Sequence, residues 1–360
     1  MSPRPDRVPV RPDLVDVTPY GAPQLDVPIR LNTNETAEPP PPAFLATVAE
    51  RIRGLELNRY PDRPATALRT ALGDTVGLPV ERVWAANGSN EVLLQLFQAY
   101  GGPTRRMLLF RPGYSAHPLI ARVAATPVVE HDLPEDLVLT ATVAAEAVDA
   151  HAPDLVVVAS PHNPAGVALT LDAVRALHDG CDGLVVLDEA YVEFSDDPDA
   201  SVRLLDELPR LVVTRTFSKA YRLAGLRLGY LLAHDWVVDD VRKVRLPYHL
   251  DALTQVAGLV ALEQRPSLTT HLAETAAERD RIIGVLDGLS GVSRVWPSVA
   301  NFVLFRVTEA GEVFDGLLGR GVLVRDFSTA PGLAGCLRVT VGTPAENDAF
   351  LGALGEVLSG

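Results

Sequence analysis

The sequence predicts an α/β fold in which a mostly parallel central sheet is covered by helices and followed by a smaller α+β unit. Short apolar segments alternate with helical stretches through the first two thirds of the chain, among them RMLLF, DLVVVAS, GLVVLDEA and RLVVTRTF. Strands that are apolar at every position are typical of a parallel sheet with helices on both faces. Near residue 246 the pattern changes to long helical stretches and then to ANFVLFRV, GVLVRDF and CLRVTVG, which indicate a second sheet.

The order of the elements predicts three parts. Residues 1–45 are rich in proline and are expected to form an extended N-terminal arm. Residues 46–245 are expected to form the large domain, which includes a helix in SNEVLLQLFQAYGG with Ser89 as its N-cap. Residues 246–360 are expected to form the small C-terminal domain, joined to the large one by a long helix.

Composition narrows the class of protein. The chain has 360 residues, of which 47% are hydrophobic and 22% charged, so there is ample material for a core. A net charge of −14 argues against nucleic acid or an anionic membrane as the main partner. The two cysteines, Cys181 and Cys336, have no metal-binding spacing, and no long apolar segment or signal peptide is evident. We therefore expect a cytoplasmic protein without a metal site.

Polar residues stand where three consecutive apolar strands end. The first strand is followed by SPHNPAG, which contains Asn163. The second strand is followed by Asp188 and Tyr191, and the third by Ser218 and Lys219. Singly, Asn163 could shape a turn and Asp188 could cap a helix. Ligands of open α/β sheets bind beyond the carboxyl ends of the strands, so the joint arrangement favours a site.

The residue types at these strand ends match the needs of one cofactor. A desolvated lysine such as Lys219 is suited to Schiff-base chemistry, and a carboxylate such as Asp188 is what a protonated pyridine nitrogen requires. Arg227, with nearby hydroxyls and helix-start amides, could hold a phosphate. Together these groups describe a pyridoxal phosphate site. The cofactor would be the anion that Lys219 and Arg227 face, since no acidic residue separates them.

Longer motifs resemble a known family. SPHNPAG, VVLDEAYVEF and TRTFSKAYRLAGLRLGY resemble the fold-type I, pyridoxal phosphate-dependent aminotransferases. More narrowly, TPYGAPQLDVPIRLNTNE, RYPD, ANGSNE, VRLPYHL, ANFVLF and LRVTVGT resemble the histidinol-phosphate aminotransferase family, over residues 11–350. The resemblance implies the fold of that transferase class. It also implies exchange of an amino group between histidinol phosphate and 2-oxoglutarate, a step of histidine biosynthesis.

The resemblance gives four residues direct roles in the chemistry. Lys219 would bind the cofactor aldehyde covalently and, once released by substrate, would move a proton between the substrate Cα and the cofactor. Asp188 would pair with the pyridinium nitrogen and make the ring an electron sink. Asn163 and Tyr191 would hydrogen-bond the cofactor's phenolic oxygen.

Further residues would hold the cofactor or the substrate. Tyr114 would stack on the pyridine ring, and Tyr60 would reach the phosphate from the neighbouring subunit of a homodimer. Tyr20 would contribute to the substrate pocket of the partner subunit, and Arg325 and Arg338 would bind the anionic group of the substrate. The residues expected around the cofactor phosphate are Ser89, Asn90, Thr216, Ser218 and Arg227.

The sequence departs from the family pattern at three places. NETA at residues 34–37 replaces the usual Asn-Glu-Asn-Pro, and Gly113 replaces a Thr or Ser. The third departure is His162, which precedes Asn163. Its side chain is expected to fill the turn rather than to make a new polar contact. These departures leave open a related enzyme with a shifted substrate: an aromatic amino acid aminotransferase, a specialised-pathway paralogue or a phospho-amino-acid decarboxylase. A non-catalytic sensor that binds the cofactor is a further alternative, against which the retained Lys219 argues.

Overall fold

The computed structural model of the protein describes residues 8–19, 21 and 23–360. Its strands are two to six residues long. They are β1 (Ile29–Arg30), β2 (Val83–Ala86), β3 (Met107–Arg111), β4 (Val128–Asp132), β5 (Leu155–Ala159), β6 (Leu184–Asp188), β7 (Leu211–Thr216), β8 (Gly229–Leu232), β9 (Val292–Val295), β10 (Phe302–Val307), β11 (Val322–Leu323), β12 (Arg325–Asp326) and β13 (Cys336–Thr340).

Helices connect and cover these strands. They are α1 (Pro42–Ile52), α2 (Thr66–Asp74), α3 (Ser89–Tyr100), α4 (Ala116–Val123), α5 (Ala141–His151), α6 (Leu171–Gly180), α7 (Asp235–Val244), α8 (Ala252–Glu263), α9 (Arg265–Leu268), α10 (Leu272–Gly288), α11 (Ala310–Gly319) and α12 (Pro344–Ser359). Within the part of the chain that the structure describes, no helix has both the length and the apolar character needed to span a membrane.

The central sheet has the strand order β2-β8-β7-β6-β5-β3-β4. Neighbours from β4 to β7 pair in parallel, whereas β8 pairs antiparallel with both β7 and β2. The predicted mostly parallel sheet is confirmed. β8 is reversed because the segment between Thr216 and Gly229 contains one short 3-10 turn and no crossover helix, which a parallel return requires. That segment carries Lys219 and Arg227.

The sheet is buried on both faces, as its apolar strands predict. Along β6, Val185 and Leu187 belong to one apolar cluster, and Leu184 and Val186 belong to another. Because successive side chains of a strand point to opposite faces, the two clusters are the two layers of core. Because β3, β5, β6 and β7 pair in parallel, their carboxyl ends meet at one edge of this buried sheet.

The C-terminal part forms a separate antiparallel sheet with the order β12-β13-β10-β9. The arm reaches it, because Ile29 and Arg30 of β1 pair in parallel with β11. Instead of one long helix, α8, α9 and α10 follow one another, and Pro266 in the first turn of α9 cannot continue the preceding hydrogen-bond ladder. α8 packs on α1 and α2, so residues after 246 also cover the central sheet. The division into an arm, a large domain and a small domain at residues 45/46 and 245/246 remains a prediction.

A buried ionic cluster lies beneath the ends of β6 and β7. Arg215 forms ion pairs with Glu189 at 2.9 Å and with Asp199 at 3.0 Å. Glu193 adjoins this cluster, and its enclosed Oε2 atom has no hydrogen-bond partner among the described residues. Burial raises the pKa of the Glu193 carboxyl to about 7, although the positive charge of Arg215 acts in the opposite direction. The ionised carboxylate is therefore disfavoured in the folded protein.

Replacing Glu193 by glutamine is expected to stabilise the protein at alkaline pH. A carboxyl whose pKa rises from 4.5 in the unfolded chain to about 7 in the folded one favours folding below pH 4.5, and that contribution is lost as the pH rises through 7. Because the shift corresponds to up to roughly 3 kcal/mol, E193Q should gain about that much unfolding free energy above neutral pH and nothing in acid. Urea unfolding of both proteins across this range measures the difference.

The exposed Glu312 on α11 offers a matched control for this comparison. The E312Q protein should follow the wild-type dependence of stability on pH. Equal unfolding free energies for E193Q and the wild type above neutral pH would contradict the assigned cost of the buried carboxylate.

Candidate active site

A cavity of about 330 Å³ lies at the carboxyl ends of β5, β6 and β7, between the central sheet and the C-terminal sheet. The structure brings most of the predicted site residues together around it. The predicted residues that line the cavity are Ser89, Asn90, Tyr114, Asn163, Asp188, Tyr191, Thr216, Ser218, Lys219, Arg227, Arg325 and Arg338.

Lys219 lies just after β7, and its side chain reaches the cavity. Its Nζ donates a hydrogen bond to the backbone carbonyl of Thr33 at 2.9 Å, and the Thr36 hydroxyl donates to the Lys219 backbone carbonyl at 2.7 Å. Burial lowers the pKa of the Lys219 amine to about 8, and the positive charges of Arg338 and Arg227 act in the same direction. A larger share of the amine is therefore neutral, and nucleophilic, near physiological pH than in an ordinary lysine.

Asp188 ends β6 and is almost fully buried. Its Oδ2 lies 3.0 Å from Nε2 of His117, and its Oδ1 accepts a hydrogen bond from the Thr214 hydroxyl at 3.3 Å. The Tyr114 ring meets the His117 ring edge-on, with 5.1 Å between centroids. Sequence reasoning missed His117 and Thr214. The one available signal was the position of His117 in the first turn of α4, three residues after Tyr114.

Arg227 and two hydroxyl side chains gather at the start of α3. Arg227 adopts a left-handed conformation with φ 55° and donates to the Ser218 hydroxyl at 3.3 Å. The backbone N–H of Ser218 donates to the Thr216 hydroxyl at 3.1 Å. A Cβ at Gly88 would lie 2.8 Å from Nη2 of Arg227, so glycine lets the guanidinium approach the helix start. A helix N-terminus flanked by an arginine and hydroxyls is suited to a phosphate.

The expected N-cap of this helix is wrong. Gly88, with φ 82°, occupies the cap, and Ser89 is the first helical residue. A positive φ is readily adopted by glycine but rarely by serine, so the turn from β2 into α3 is made one residue earlier. The shift places Ser89 and Asn90 in the first turn, both on the cavity wall.

Tyr191, Asn163 and Arg338 form one hydrogen-bonded group. Asn163 donates from Nδ2 to the Tyr191 hydroxyl at 3.5 Å and accepts from Nη1 of Arg338 at 2.7 Å. Asn34 donates to the same hydroxyl at 2.9 Å, and Nη2 of Arg338 donates to the Asn32 carbonyl at 2.9 Å. Sequence reasoning assigned no site role to Asn32 or Asn34.

Arg325 and Arg338 form a cationic side of the cavity. They stand directly opposite each other on the antiparallel strands β12 and β13, so their side chains share one face. Their guanidinium carbons lie 5.7 and 5.3 Å from the centre of the Phe327 ring, a contact that sequence reasoning missed. Two guanidinium groups on the same wall can bind a carboxylate or a phosphate.

Two predicted positions that the structure describes, Tyr60 and His162, do not line this cavity. Tyr60 is 78% exposed and stacks on Tyr248 with 4.2 Å between ring centroids. Tyr20 lies outside the described residues. His162 lies in the turn, where its Nδ1 accepts from the Ala165 N–H at 3.4 Å, and it also makes a polar contact, because its Nε2 lies 2.9 Å from the Pro112 carbonyl; burial lowers its pKa to about 4.

The donor set fits pyridoxal phosphate. A buried carboxylate at Asp188 suits a protonated ring nitrogen, and an amine of lowered pKa at Lys219 suits an aldehyde. The corner formed by Arg227, Ser218 and the α3 N-terminus suits the phosphate. These three groups line one cavity that also contains Tyr114.

Comparisons with known proteins agree with this chemistry. The family model for aminotransferases of class I and II matches residues 26–354. A histidinol-phosphate aminotransferase from Frankia casuarinae is 47% identical over 99% of this chain and 91% of its own. The histidinol-phosphate aminotransferase from Sinorhizobium meliloti, solved in complex with pyridoxal-5'-phosphate, has a TM-score of 0.87, 25% identity and 97% coverage of both chains.

The fold also occurs with a different chemistry. An L-threonine-O-3-phosphate decarboxylase from Porphyromonas gingivalis has a TM-score of 0.81 at 26% identity, covering 92% of this chain and all of its own. Because the family model spans most of the sequence and the Frankia relative is similar along nearly its whole length, the family is settled. The chain belongs to the class I and II aminotransferase family.

Proposed function

We propose that the protein is a pyridoxal phosphate-dependent aminotransferase of histidine biosynthesis that converts histidinol phosphate and 2-oxoglutarate to imidazole-acetol phosphate and glutamate. One observation carries the proposal: Lys219 lines one cavity together with two cationic groups, the first being Arg227 at the start of α3 and the second being Arg325 with Arg338 on β12 and β13. A cofactor phosphate needs the first and an anionic substrate needs the second. The names of the Frankia and Sinorhizobium relatives support this substrate.

The residues of the cavity are proposed to have separate roles in the reaction. Bound pyridoxal phosphate supplies an aldehyde that takes up the amino group and a ring that withdraws electrons from the substrate Cα. Asp188, held by His117 and Thr214, would keep the ring nitrogen protonated, and Tyr191 with Asn163 would hold the phenolic oxygen. Lys219 would bind the aldehyde and then carry the proton to and from Cα, since its pKa of about 8 allows both states.

The substrate phosphate is proposed to bind Arg325 and Arg338. Two guanidinium groups match a dianion better than a single carboxylate does. Arg338 already donates to Asn163 and to the Asn32 carbonyl, so its guanidinium is fixed before substrate enters. 2-Oxoglutarate would use the same cationic side with its distal carboxylate in the second half of the reaction.

We propose that two copies of the chain complete the site. Tyr60 is exposed and lies outside the cavity of its own chain, so it is available to reach the cofactor phosphate of a partner, and Tyr20 would reach the partner's substrate. The exposed apolar side chains of Leu57 and Leu246 belong to the segments that carry Tyr60 and Tyr248. Burial of such side chains favours association.

The two buried cysteines form no disulfide, which is compatible with the proposed cytoplasmic location.

Mixing the cofactor-loaded protein with candidate donors tests the substrate. Histidinol phosphate should bleach the visible absorbance of the enzyme far faster than phenylalanine or O-phosphothreonine does, and adding 2-oxoglutarate should restore the absorbance and yield glutamate. Faster bleaching by phenylalanine would identify an aromatic aminotransferase. Release of CO₂ from a phospho-amino acid would identify a decarboxylase. A protein that stays colourless with pyridoxal phosphate would refute the cofactor.

A further inference from the structure

Residues 32–35 line the cavity between the two sheets, and Asn34 is held in place by both its backbone conformation and its hydrogen bonds. It is 1% exposed and adopts a left-handed conformation with φ 55°. Asparagine tolerates this region better than most residues, because its short side chain can satisfy the nearby backbone. An asparagine that is buried in this conformation has a fixed side-chain direction.

Each polar group of Asn34 is engaged. Its backbone N–H donates to the Thr340 hydroxyl at 3.0 Å, and that hydroxyl donates back to its Oδ1 at 3.2 Å. Its backbone carbonyl accepts from the Asn301 side chain at 3.1 Å. Its Nδ2 donates to the Tyr191 hydroxyl at 2.9 Å, which is shorter than the 3.5 Å contact from Asn163. Three groups therefore bind the C-terminal sheet and its flank, and the fourth binds Tyr191 in the connection that follows β6 of the central sheet.

We infer that Asn34 is a positioning residue: it fixes the Tyr191 hydroxyl relative to the C-terminal sheet, and through that hydroxyl it tunes the acidity of the bound cofactor. The inference rests on the proposed function, in which Tyr191 hydrogen-bonds the phenolic oxygen of the cofactor. Thr340 and Arg338 lie two residues apart on β13 and point to the same face, so the contact also relates Tyr191 to the substrate-binding arginine. NETA keeps this asparagine although it departs from the family motif after Glu35.

The pH midpoint of the visible absorbance band of the cofactor-loaded protein tests this role. A hydrogen bond donated to the negatively charged phenolic oxygen of the cofactor favours the deprotonated state and lowers the midpoint, so a displaced Tyr191 hydroxyl should raise it. Two variants separate backbone strain from the hydrogen bond. N34G retains easy access to the left-handed conformation and removes the amide, whereas N34D keeps the shape and replaces the Nδ2 donor by an acceptor.

Both variants should raise the midpoint by about one pH unit, in the direction that Y191F shifts it. In a double-mutant cycle, N34G combined with Y191F should shift it no further than Y191F alone, because Asn34 acts through that hydroxyl. N347D is the matched control. Asn347 is a buried asparagine of α12 that donates to Glu278 and the Gly342 carbonyl, so its loss should lower thermal stability and leave the midpoint unchanged.

A wild-type midpoint in N34D, accompanied by a lower unfolding temperature, would overturn the inference and leave Asn34 with a purely structural role. Additive shifts of N34G and Y191F would also overturn it, since the two residues would then act independently. Failure of the proposed function has a different result, because the wild-type protein itself would then fail to bind pyridoxal phosphate or to transaminate histidinol phosphate. N34D preserves side-chain volume, so the test does not depend on the folding of N34G.

Discussion

Lys219→Ala is expected to reduce the transamination of histidinol phosphate by roughly 10³-fold or more. The change removes the amine that is proposed both to bind the cofactor aldehyde and to carry the proton to and from the substrate Cα. The site around it should survive, because Asp188, Arg227 and Tyr191 take their positions from other contacts. Single-turnover mixing with histidinol phosphate measures the loss, and the variant should also lack the lysine-dependent visible absorbance.

The composition of the chain supplies a sharp control for this prediction. The sequence contains two lysines, Lys219 and Lys243. Lys243 is exposed on α7, pairs with Asp240 at 2.5 Å and does not line the cavity. K243A should therefore retain wild-type activity. Borohydride reduction of the cofactor-loaded protein should label Lys219, and labelling of Lys243 instead, or a K219A protein at full rate, would contradict the assignment.

Arg338→Ala should lower kcat/KM for histidinol phosphate by about 10²–10³-fold, which is the loss expected when one member of a buried, charge-assisted contact is removed. The substitution deletes a cation that is proposed to bind the substrate anion. It also leaves Oδ1 of Asn163 and the Asn32 carbonyl without their guanidinium donor. Steady-state rates over a range of histidinol phosphate concentrations measure the effect.

Variants of Arg325 and Arg320 test whether the loss of kcat/KM comes from the cationic side of the cavity. R325Q should weaken the preference for histidinol phosphate over a donor without phosphate, because Arg325 stands opposite Arg338 on the same wall. R320A is the control: Arg320 is exposed, pairs with Glu356 at 3.1 Å and lies outside the cavity lining, so its rates should match the wild type. An R338A enzyme with unchanged kcat/KM would show that the anion binds elsewhere.

The sequence predicted the parts of the site that depend on strand direction. Asn163, Asp188 and Lys219 follow apolar strands, and the carboxyl ends of parallel strands meet at one edge of a sheet, so their convergence could be expected. The two apolar layers of β6 confirm the reasoning behind the sheet, since a strand buried on both faces has no polar alternation. The resemblance supplied the arginines, which strand periodicity alone does not distinguish from exposed charges.

The partners of those residues could not be predicted in the same way. His117 meets Asp188 across 71 positions of sequence, and Asn34 meets Tyr191 across 157. Such contacts depend on how α4 and the 32–36 segment pack, which no local pattern encodes. Gly88 replaced Ser89 as the cap because backbone conformation outweighed side-chain preference. The role of Tyr60 depends on a second chain and therefore stays a prediction.

The division of the cavity between two sheets has an evolutionary consequence. The residues proposed to hold the cofactor belong mainly to the central sheet and its connections, whereas Arg325 and Arg338 belong to strands of the C-terminal sheet. Mutations in β12, β13 or the loop between them are therefore expected to change which amino donor is accepted, while the residues proposed to hold the cofactor stay the same. This arrangement allows gene duplicates to acquire new metabolites without first losing transamination. Asn34 joins the two halves through Thr340 and Tyr191, so variation at that position should be tolerated less than variation at the surface of either half.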